Sequence, residues 1–336
     1  MIEFEGVTKR YPDGTVAVDN LALRIPSNEI TVLVGPSGCG KTTSLRMINR
    51  MIERTSGRIT IDGKDINDSN VVELRRGIGY VIQHGGLFPH RTVLDNIATV
   101  PRLLGWDKTK TKARAAELLE RVGLDARLGK RYPAQLSGGQ QQRVGVARAL
   151  AADPNIMLMD EPFSAVDPIV RNQLQEELLR LQREIGKTIV FVTHDIDEAI
   201  KLGDNVAVLR VGGRLAQFAP PAELLAHPAD GFVESFIGKD RGYRALTFMQ
   251  ADDVELAPVP DALAVGTAGE PLGWRNGADW SDGLAPVGAV FHRTDSLRAA
   301  LDAVLTSPVG QGVCVDGNGK AVGVIDHTML AGVLRS

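Results

Sequence analysis

Gly35-Pro36-Ser37-Gly38-Cys39-Gly40-Lys41-Thr42 lies between an apolar run, Thr31–Val34, and a helical pattern through Leu45 and Ile48. The spacing G-x-x-x-x-G-K-[ST] between a strand and a helix is that of a phosphate-binding loop. Glycine lets the backbone curl so that successive N–H groups converge on phosphate oxygens, and the helix N-terminus adds positive potential. Lys41 is then expected to reach the β- and γ-phosphates, and the Thr42 hydroxyl to hold Mg²⁺. Gly35, Ser37, Gly38, Cys39, Gly40 and Thr43 complete the expected cradle. A Gly-rich turn that matches by accident is the competing reading, and it leaves the flanking strand and helix unexplained.

Around this loop the chain alternates short β-rich apolar runs with helical periodicity, the pattern of an α/β fold whose parallel sheet is covered on both faces. Buried strands are predicted at Ile30–Val34, Ile78–Ile82, Ile156–Met159, Thr188–Thr193 and Val206–Leu209. Ile2–Thr8 and Val16–Ile25 read as antiparallel strands around the Pro12-Asp13-Gly14 turn, and Gly57–Asp62 as a strand ending in an Asp-Gly turn. From Thr92 to Ala152 the signal is mostly helical, clearest over Lys108–Val122 and Gln140–Ala152, which predicts a helical subdomain inserted into the sheet domain.

Polar residues close several of these strands. Ile156–Met159 runs into Asp160-Glu161-Pro162. Asp160 suits a metal's inner or outer shell, and Glu161 suits a general base that polarises an attacking water, worth about 10² to 10⁴ in rate. Pro162 is expected to keep the residue before it extended. Gln83 follows Ile78–Ile82, positioned to sense metal or water, and His194 follows Thr188–Thr193, positioned to hydrogen-bond a γ-phosphate. Ligands of open parallel sheets bind outside the carboxyl ends of the strands, so Lys41, Gln83, Asp160, Glu161 and His194 are expected on one rim. Gln83 and His194, each taken alone, read more readily as structural loop residues; their weight comes from co-location. Leu136-Ser137-Gly138-Gly139-Gln140 precedes a helix with a basic face carrying Arg143 and Arg148. A hydroxyl, flexible amides and a helix N-terminus make a second anion site there, with an ordinary Ser N-cap as the alternative.

The 336 residues are about twice the length of one ordinary domain. Lys plus Arg number 38 against 41 Asp plus Glu, a net charge of −3. No overall positive field holds a polyanion, so nucleic acid is not an expected partner. The two cysteines, Cys39 and Cys314, cannot build a disulfide framework and fit a reducing cytoplasm. The N-terminal MIEFEGVTKRY lacks a basic segment followed by an apolar stretch, and no run approaches the ~18 to 20 apolar residues that span a bilayer. A role at a membrane therefore needs a membrane-embedded partner. After about Gly238 the texture changes: Asp252 to Gly288 is rich in Gly, Pro, Asp and Ala, as expected of a linker or a poorly structured segment. Ala289 to Ser336 reads strand, helix (Ser296–Leu305), strand (Gly312–Val315), the Asp316-Gly317-Asn318-Gly319 turn, strand (Ala321–Ile325) and a final helix, a small α/β module marginal alone. The expected boundaries are 1–238, 239–288 and 289–336.

Over residues 1–238 these features resemble the nucleotide-binding subunits of ABC transporters. Leu136-Ser137-Gly138-Gly139-Gln140 resembles the family signature, a more specific match than the phosphate loop. The resemblance implies a P-loop NTPase of ABC type, with a parallel sheet core, an antiparallel β subdomain and an inserted helical subdomain, using ATP and Mg²⁺. It implies that Tyr11 stacks on adenine, that Gln83 forms the Q-loop with metal and catalytic roles, that Ser164-Ala165-Val166-Asp167 is the D-loop and that His194 is the switch histidine. It also implies a head-to-tail homodimer in which Ser137, Gly138, Gly139 and Gln140 of one cassette close over the ATP of the other. Integral-membrane permease subunits would be driven through the segment near Gln83 to Pro101, with an extracytoplasmic substrate-binding protein as an indirect partner. The place of work would be the cytoplasmic face of the cell membrane.

Val81 to His90, followed by Leu103-Leu104-Gly105-Trp106-Asp107, is similar to the ATPases of glycine betaine, choline and proline-type osmoprotectant importers. Thr294-Asp295-Ser296-Leu297, with Val313–Asp316 and Val322–Ile325, resembles one CBS motif, and such importers often carry a CBS pair sensing ionic strength or an adenine-containing ligand. Ala245 to Val287 shows no convincing first repeat. The implied function is the ATP-hydrolysing subunit of an importer for a quaternary amine or proline, carnitine included; an importer of another small solute, such as an amino acid, is the alternative. A DNA-maintenance or translation ATPase of the same superfamily is disfavoured by the lack of long coiled coils, tandem cassettes and basic surfaces. A catalytically silent module is disfavoured by Lys41, Glu161 and His194.

Overall fold

The structure, a computed structural model, describes residues 1–82, 86–164, 166–275 and 283–333; Gln83, His84, Gly85, Ala165 and part of the irregular segment lie outside the described residues. The chain divides into two units, residues 1–224 with 228–236, and residues 225–227 with 237–336. The described strands of the first are β1 (Ile2–Arg10), β2 (Val16–Ile25), β3 (Ile30–Val34), β4 (Ser56–Ile61), β5 (Lys64–Asp65), β6 (Ile78–Val81), β7 (Ile156–Asp160), β8 (Thr188–Val192), β9 (Asn205–Arg210) and β10 (Arg214–Ala219).

These strands form two sheets, an antiparallel one in the order β2-β1-β4-β5 and a six-stranded one in the order β10-β9-β3-β8-β7-β6. In the second, β9, β3, β8, β7 and β6 run parallel and β10 pairs antiparallel at the edge. Every residue of β3, β7 and β8 is buried, which is why these strands read as unbroken apolar runs and why helices must cover both faces. The helix Lys41–Ile48 packs Leu45, Met47 and Ile48 into one core with Ile2, Phe4 and Leu23 of the antiparallel sheet and Leu33, Leu158 and Val190 of the parallel one. The pairing register aligns the strand ends: Leu33 and Asp160 both face Val192, and Val81 faces Met159. The four strands thus end nearly level, and the residues after each emerge on one rim.

The insertion between β6 and β7 is helical, with helices Val93–Ile97, Thr99–Leu103, Lys108–Arg121 and Gly138–Leu150. Thr111, Ala115, Leu118 and Leu119 are the buried stripe of the third, at the three- and four-residue spacing of a single helix face.

The second unit departs from the expected linker. Strands β11 (Leu263–Val265), β12 (Pro271–Arg275) and β13 (Leu284–Ala285) form one antiparallel sheet, and β14 (Val290–Phe291), β15 (Gln311–Val315) and β16 (Ala321–Asp326) form another. The helix Leu297–Thr306 and Phe291 cover one face of the latter with Cys314 and Ile325, while Leu263 and the fully buried Trp274 pack against Val313, Val315 and Val324 on the other. Strands β11 to β13, of two to five residues and interrupted by Gly and Pro, are too short to show a period of two, so the stretch that carries them reads as irregular.

Candidate functional site

At the end of β3 the backbone turns sharply through Gly35, Gly38 and Gly40, with φ of 153°, 75° and 95°. A Cβ on Gly35 would lie 2.3 Å from the Leu209 carbonyl oxygen, and one on Gly40 2.2 Å from that of Ala17, so both positions require glycine. The helix Lys41–Ile48 begins with no side-chain cap and no acidic residue in its first turn. Its leading N–H groups have no intrahelical partner, the arrangement that accepts a phosphate. Lys41 is buried, and its Nζ donates to the carbonyls of Gly35 at 2.7 Å and Pro36 at 3.0 Å, so the ammonium spans the loop. Cys39 is buried beside it, and burial pushes its thiol pKa up.

The rim assembles a carboxylate cluster next to this loop. The Thr42 hydroxyl donates to Asp160 Oδ1 at 2.7 Å. The other oxygen, Oδ2, receives Arg46 at 3.2 Å and the Tyr80 hydroxyl at 3.4 Å, while Arg46 Nε also donates to Tyr80 at 3.3 Å. The Tyr80 hydrogen bond, aided by the Tyr80 and Asp160 charges, raises the Arg46 pKa; burial raises that of Tyr80. Neither Arg46 nor Tyr80 was among the sequence candidates. Arg46 had a legible signal, because it lies four residues after Thr42 on the same helix face. A hydroxyl and a buried carboxylate beside a phosphate loop are hard oxygen donors suited to Mg²⁺, which takes few protein ligands and completes its shell with phosphate and water; the site fits the ion.

Glu161 corrects one expectation: it is not extended before Pro162 but has a positive φ of 44°. Its N–H donates to the Val192 carbonyl at 3.0 Å, and its own carbonyl accepts from the Ser164 amide and hydroxyl at 3.3 and 3.0 Å. These bonds hold a conformation that costs of order 1–3 kcal/mol, the kind of local strain found at functional sites. The turn brings Glu161 Oε2 to 3.3 Å from His194 Nδ1. Lys41, Asp160, Glu161 and His194, expected on one rim, stand there together with Thr42; Gln83, also expected there, lies outside the described residues.

Ser137 is exposed and caps the helix Gly138–Leu150: its Oγ accepts from Gln140 N at 3.3 Å, and Gln140 Oε1 accepts from Ser137 N at 3.0 Å. Gly138 is exposed, whereas Gly139 is buried, with room for a Cβ denied by Val170 at 2.7 Å. Arg143 is spent on the carbonyls of Val122 and Gly123 and Arg148 on that of Gly86. Asp167 is exposed and caps the helix Pro168–Ile185 through Val170 N at 3.1 Å; Ala165, of the same expected loop, lies outside the described residues. Tyr11 sits in the β1–β2 turn, with Lys9 Nζ 5.0 Å from its ring centre.

Residues 18–164 match the family described as ABC transporter. The chain is 45% identical to the osmoprotectant import ATP-binding protein OsmV of Salmonella typhimurium, over 100% of this chain and 97% of that protein. It is 56% identical to the carnitine transport ATP-binding protein OpuCA of Listeria monocytogenes, over 72% of this chain and 60% of that one. Its fold is similar to the dimeric post-hydrolysis structure of an ATP-binding cassette bound to ADP and Pi, at a TM-score of 0.60 and 36% identity, over 66% of this chain and 99% of the other. By the phosphate loop, the carboxylate rim and a similarity that runs along the whole chain, this chain belongs to the ATP-binding proteins of the ABC transporter family.

Proposed function

We propose that the chain hydrolyses ATP to drive an importer of quaternary-amine osmoprotectants, of the glycine betaine, choline, carnitine or proline class. The observation that carries this reading is the 45% identity to an osmoprotectant import ATP-binding protein along the whole chain, tail included. The phosphate loop takes the β- and γ-phosphates on its free helical N–H groups, and Lys41 moves from the Gly35 and Pro36 carbonyls onto phosphate oxygens. Thr42 and Asp160 would hold Mg²⁺, which when bound neutralises charge on the phosphates. Arg46 and Tyr80 fix Asp160 by its second oxygen, leaving the first at Thr42. Glu161 polarises the attacking water, and His194, held at Nδ1 by Glu161, offers its other ring nitrogen to the γ-phosphate. Gln83 contributes to metal and water positioning. Tyr11 stacks on the adenine.

The exposed signature finds its use in a second copy. In a head-to-tail homodimer, Ser137 and Gly138 face the γ-phosphate held by the partner, while Gly139 and Gln140 shape the helix start and Asp167 lies at the junction. Ser137 keeps its hydroxyl proton free for such a contact, because in the capping interaction it accepts. No helix among the described residues is long and apolar enough to cross a membrane, so transport requires permease subunits in the bilayer, with this chain at their cytoplasmic face and a substrate-binding protein on the far side. The second unit, with its β-α-β-β-α order from β14 onward, is read as a CBS-like module.

Two measurements test the reading. Purified full-length chain is expected to hydrolyse ATP with Mg²⁺, and Glu161→Gln to bind ATP but turn it over at least about 10²-fold more slowly. Cells carrying the chain are expected to take up radiolabelled betaine, and cells lacking it to lose that uptake. Normal betaine-class uptake without it, joined to loss of amino-acid uptake, would reassign the cargo.

A further inference from the structure

Beneath the Glu161–His194 pair lies a buried polar floor that the hydrolysis chemistry does not itself use. Glu198, on the helix Ile196–Leu202, is only 8% exposed, and Gln175, on the helix that Asp167 caps, is 4% exposed. Gln175 Nε2 donates to Glu198 Oε1 at 3.0 Å. The Thr193 hydroxyl accepts from the Asp195 amide at 3.0 Å, and Asp195 Oδ1 in turn accepts from the Glu198 amide at 3.4 Å. On the opposite side, Arg171 donates to the Val166 carbonyl at 2.9 Å, and its Nε is buried without a hydrogen-bond partner. The guanidinium charge acts on Glu198. Glu161, Ser164, Arg171, Thr193, His194 and Glu198 all line one cavity of about 50 Å³. That volume holds at least one water, and the site offers the two to four polar partners an internal water requires.

We propose that Glu198 is a positioning residue for hydrolysis. With Arg171 and water held in this cavity, it locks the segment carrying His194 to the loop that follows Glu161. The inference rests on the ATPase reading above. Glu198 touches neither nucleotide nor attacking water. It faces Thr193, the residue before His194, across the shared cavity, and Arg171 fixes Val166, five residues after Glu161. The buried water satisfies Arg171 Nε and connects the two halves, so both halves of the catalytic pair sit on one hydrogen-bonded unit. Neighbouring groups that form one network show non-additive effects when removed together.

The test is steady-state ATP hydrolysis and nucleotide binding by the full-length chain carrying Glu198→Ala, Glu198→Gln, Arg171→Met and the Glu198→Ala/Arg171→Met pair. Thermal midpoints and bound nucleotide per chain establish that each variant is folded. The expected result is a fall in kcat of about tenfold for Glu198→Ala with the ATP Kd changed less than about twofold. Partial recovery is expected in Glu198→Gln, which keeps the acceptor for Gln175, and the double variant should lose no more than the worse single one. Full kcat in folded Glu198→Ala, losses that multiply in the double variant, or a loss confined to ATP affinity would each overturn the proposal. A parent chain that does not hydrolyse ATP would instead overturn the ATPase reading, and this inference with it. Where Glu198→Ala does not fold, the comparison of Glu198→Gln with Arg171→Met decides by the same split between kcat and Kd.

Discussion

Glycine at position 40 is dictated by two constraints at once, a φ of 95° and a backbone oxygen where a Cβ would go. Gly40→Ala is expected to cost at least about 1–3 kcal/mol and to abolish nucleotide binding, read as a lowered thermal midpoint and the loss of any ATP-induced stabilisation. Glu198 makes a prediction of a different kind. Burial, opposed by the Thr193 and Gln175 side chains and joined by the Asp195 charge, raises its pKa above 4.5, while Arg171 pulls the other way. Between 4.5 and the raised value the folded chain binds more protons than the unfolded one, so this group's contribution to stability falls as pH rises through that window. Removing the titration with Glu198→Gln should therefore give a thermal-midpoint difference from the parent that moves in the variant's favour from pH 4.5 towards neutrality. A difference that stays flat or moves the other way would contradict the assignment. Stability gained at the expense of kcat is a familiar trade where a polar group is kept for function.

The helices that open on the signature and on Asp167 are built by the same device, a polar side chain accepting from the first free N–H groups. Ser137 therefore has two jobs that substitution separates. Ser137→Ala removes a cap worth about 1 kcal/mol and is expected to lower the thermal midpoint by about 2–4 °C. Ser137→Arg is expected to leave nucleotide affinity of the monomer nearly intact yet abolish turnover, because the arginine would occupy the partner's site. Equal loss of affinity in the monomer would count against a composite site. Elements buried on both faces, such as β3, β7 and β8, announce themselves as apolar runs. The edge strand β10, with five of its six residues not fully buried, and the two-residue β13 do not, since only pairing with neighbours makes them strands.

Over the whole chain, the two units rest on separate cores, one around the helix Lys41–Ile48 and the others around Trp274 and the helix Leu297–Thr306. Trp274→Ala is expected to cost about 3–5 kcal/mol. By calorimetry it should lower the transition of the second unit and leave the nucleotide-shifted transition of the first in place. The phosphate loop, the acids after β7, His194 and the signature were legible because each couples a residue type to a fixed local spacing, and local spacing is written in the chain. The Arg46–Tyr80 clamp on Asp160, the turn that aims Glu161 at His194, the loss of Arg143 and Arg148 to carbonyls and the floor around Glu198 were not legible. Those depend on which strands become neighbours and in what register, and residues more than a hundred positions apart, such as Thr42 and Asp160, meet only when the sheet has closed. The sequence by itself determined the chemistry available and the order of the elements; the tertiary structure alone decided which donors meet which acceptors, because hydrogen bonds act over about 3 Å, far less than the distances that the chain must fold across.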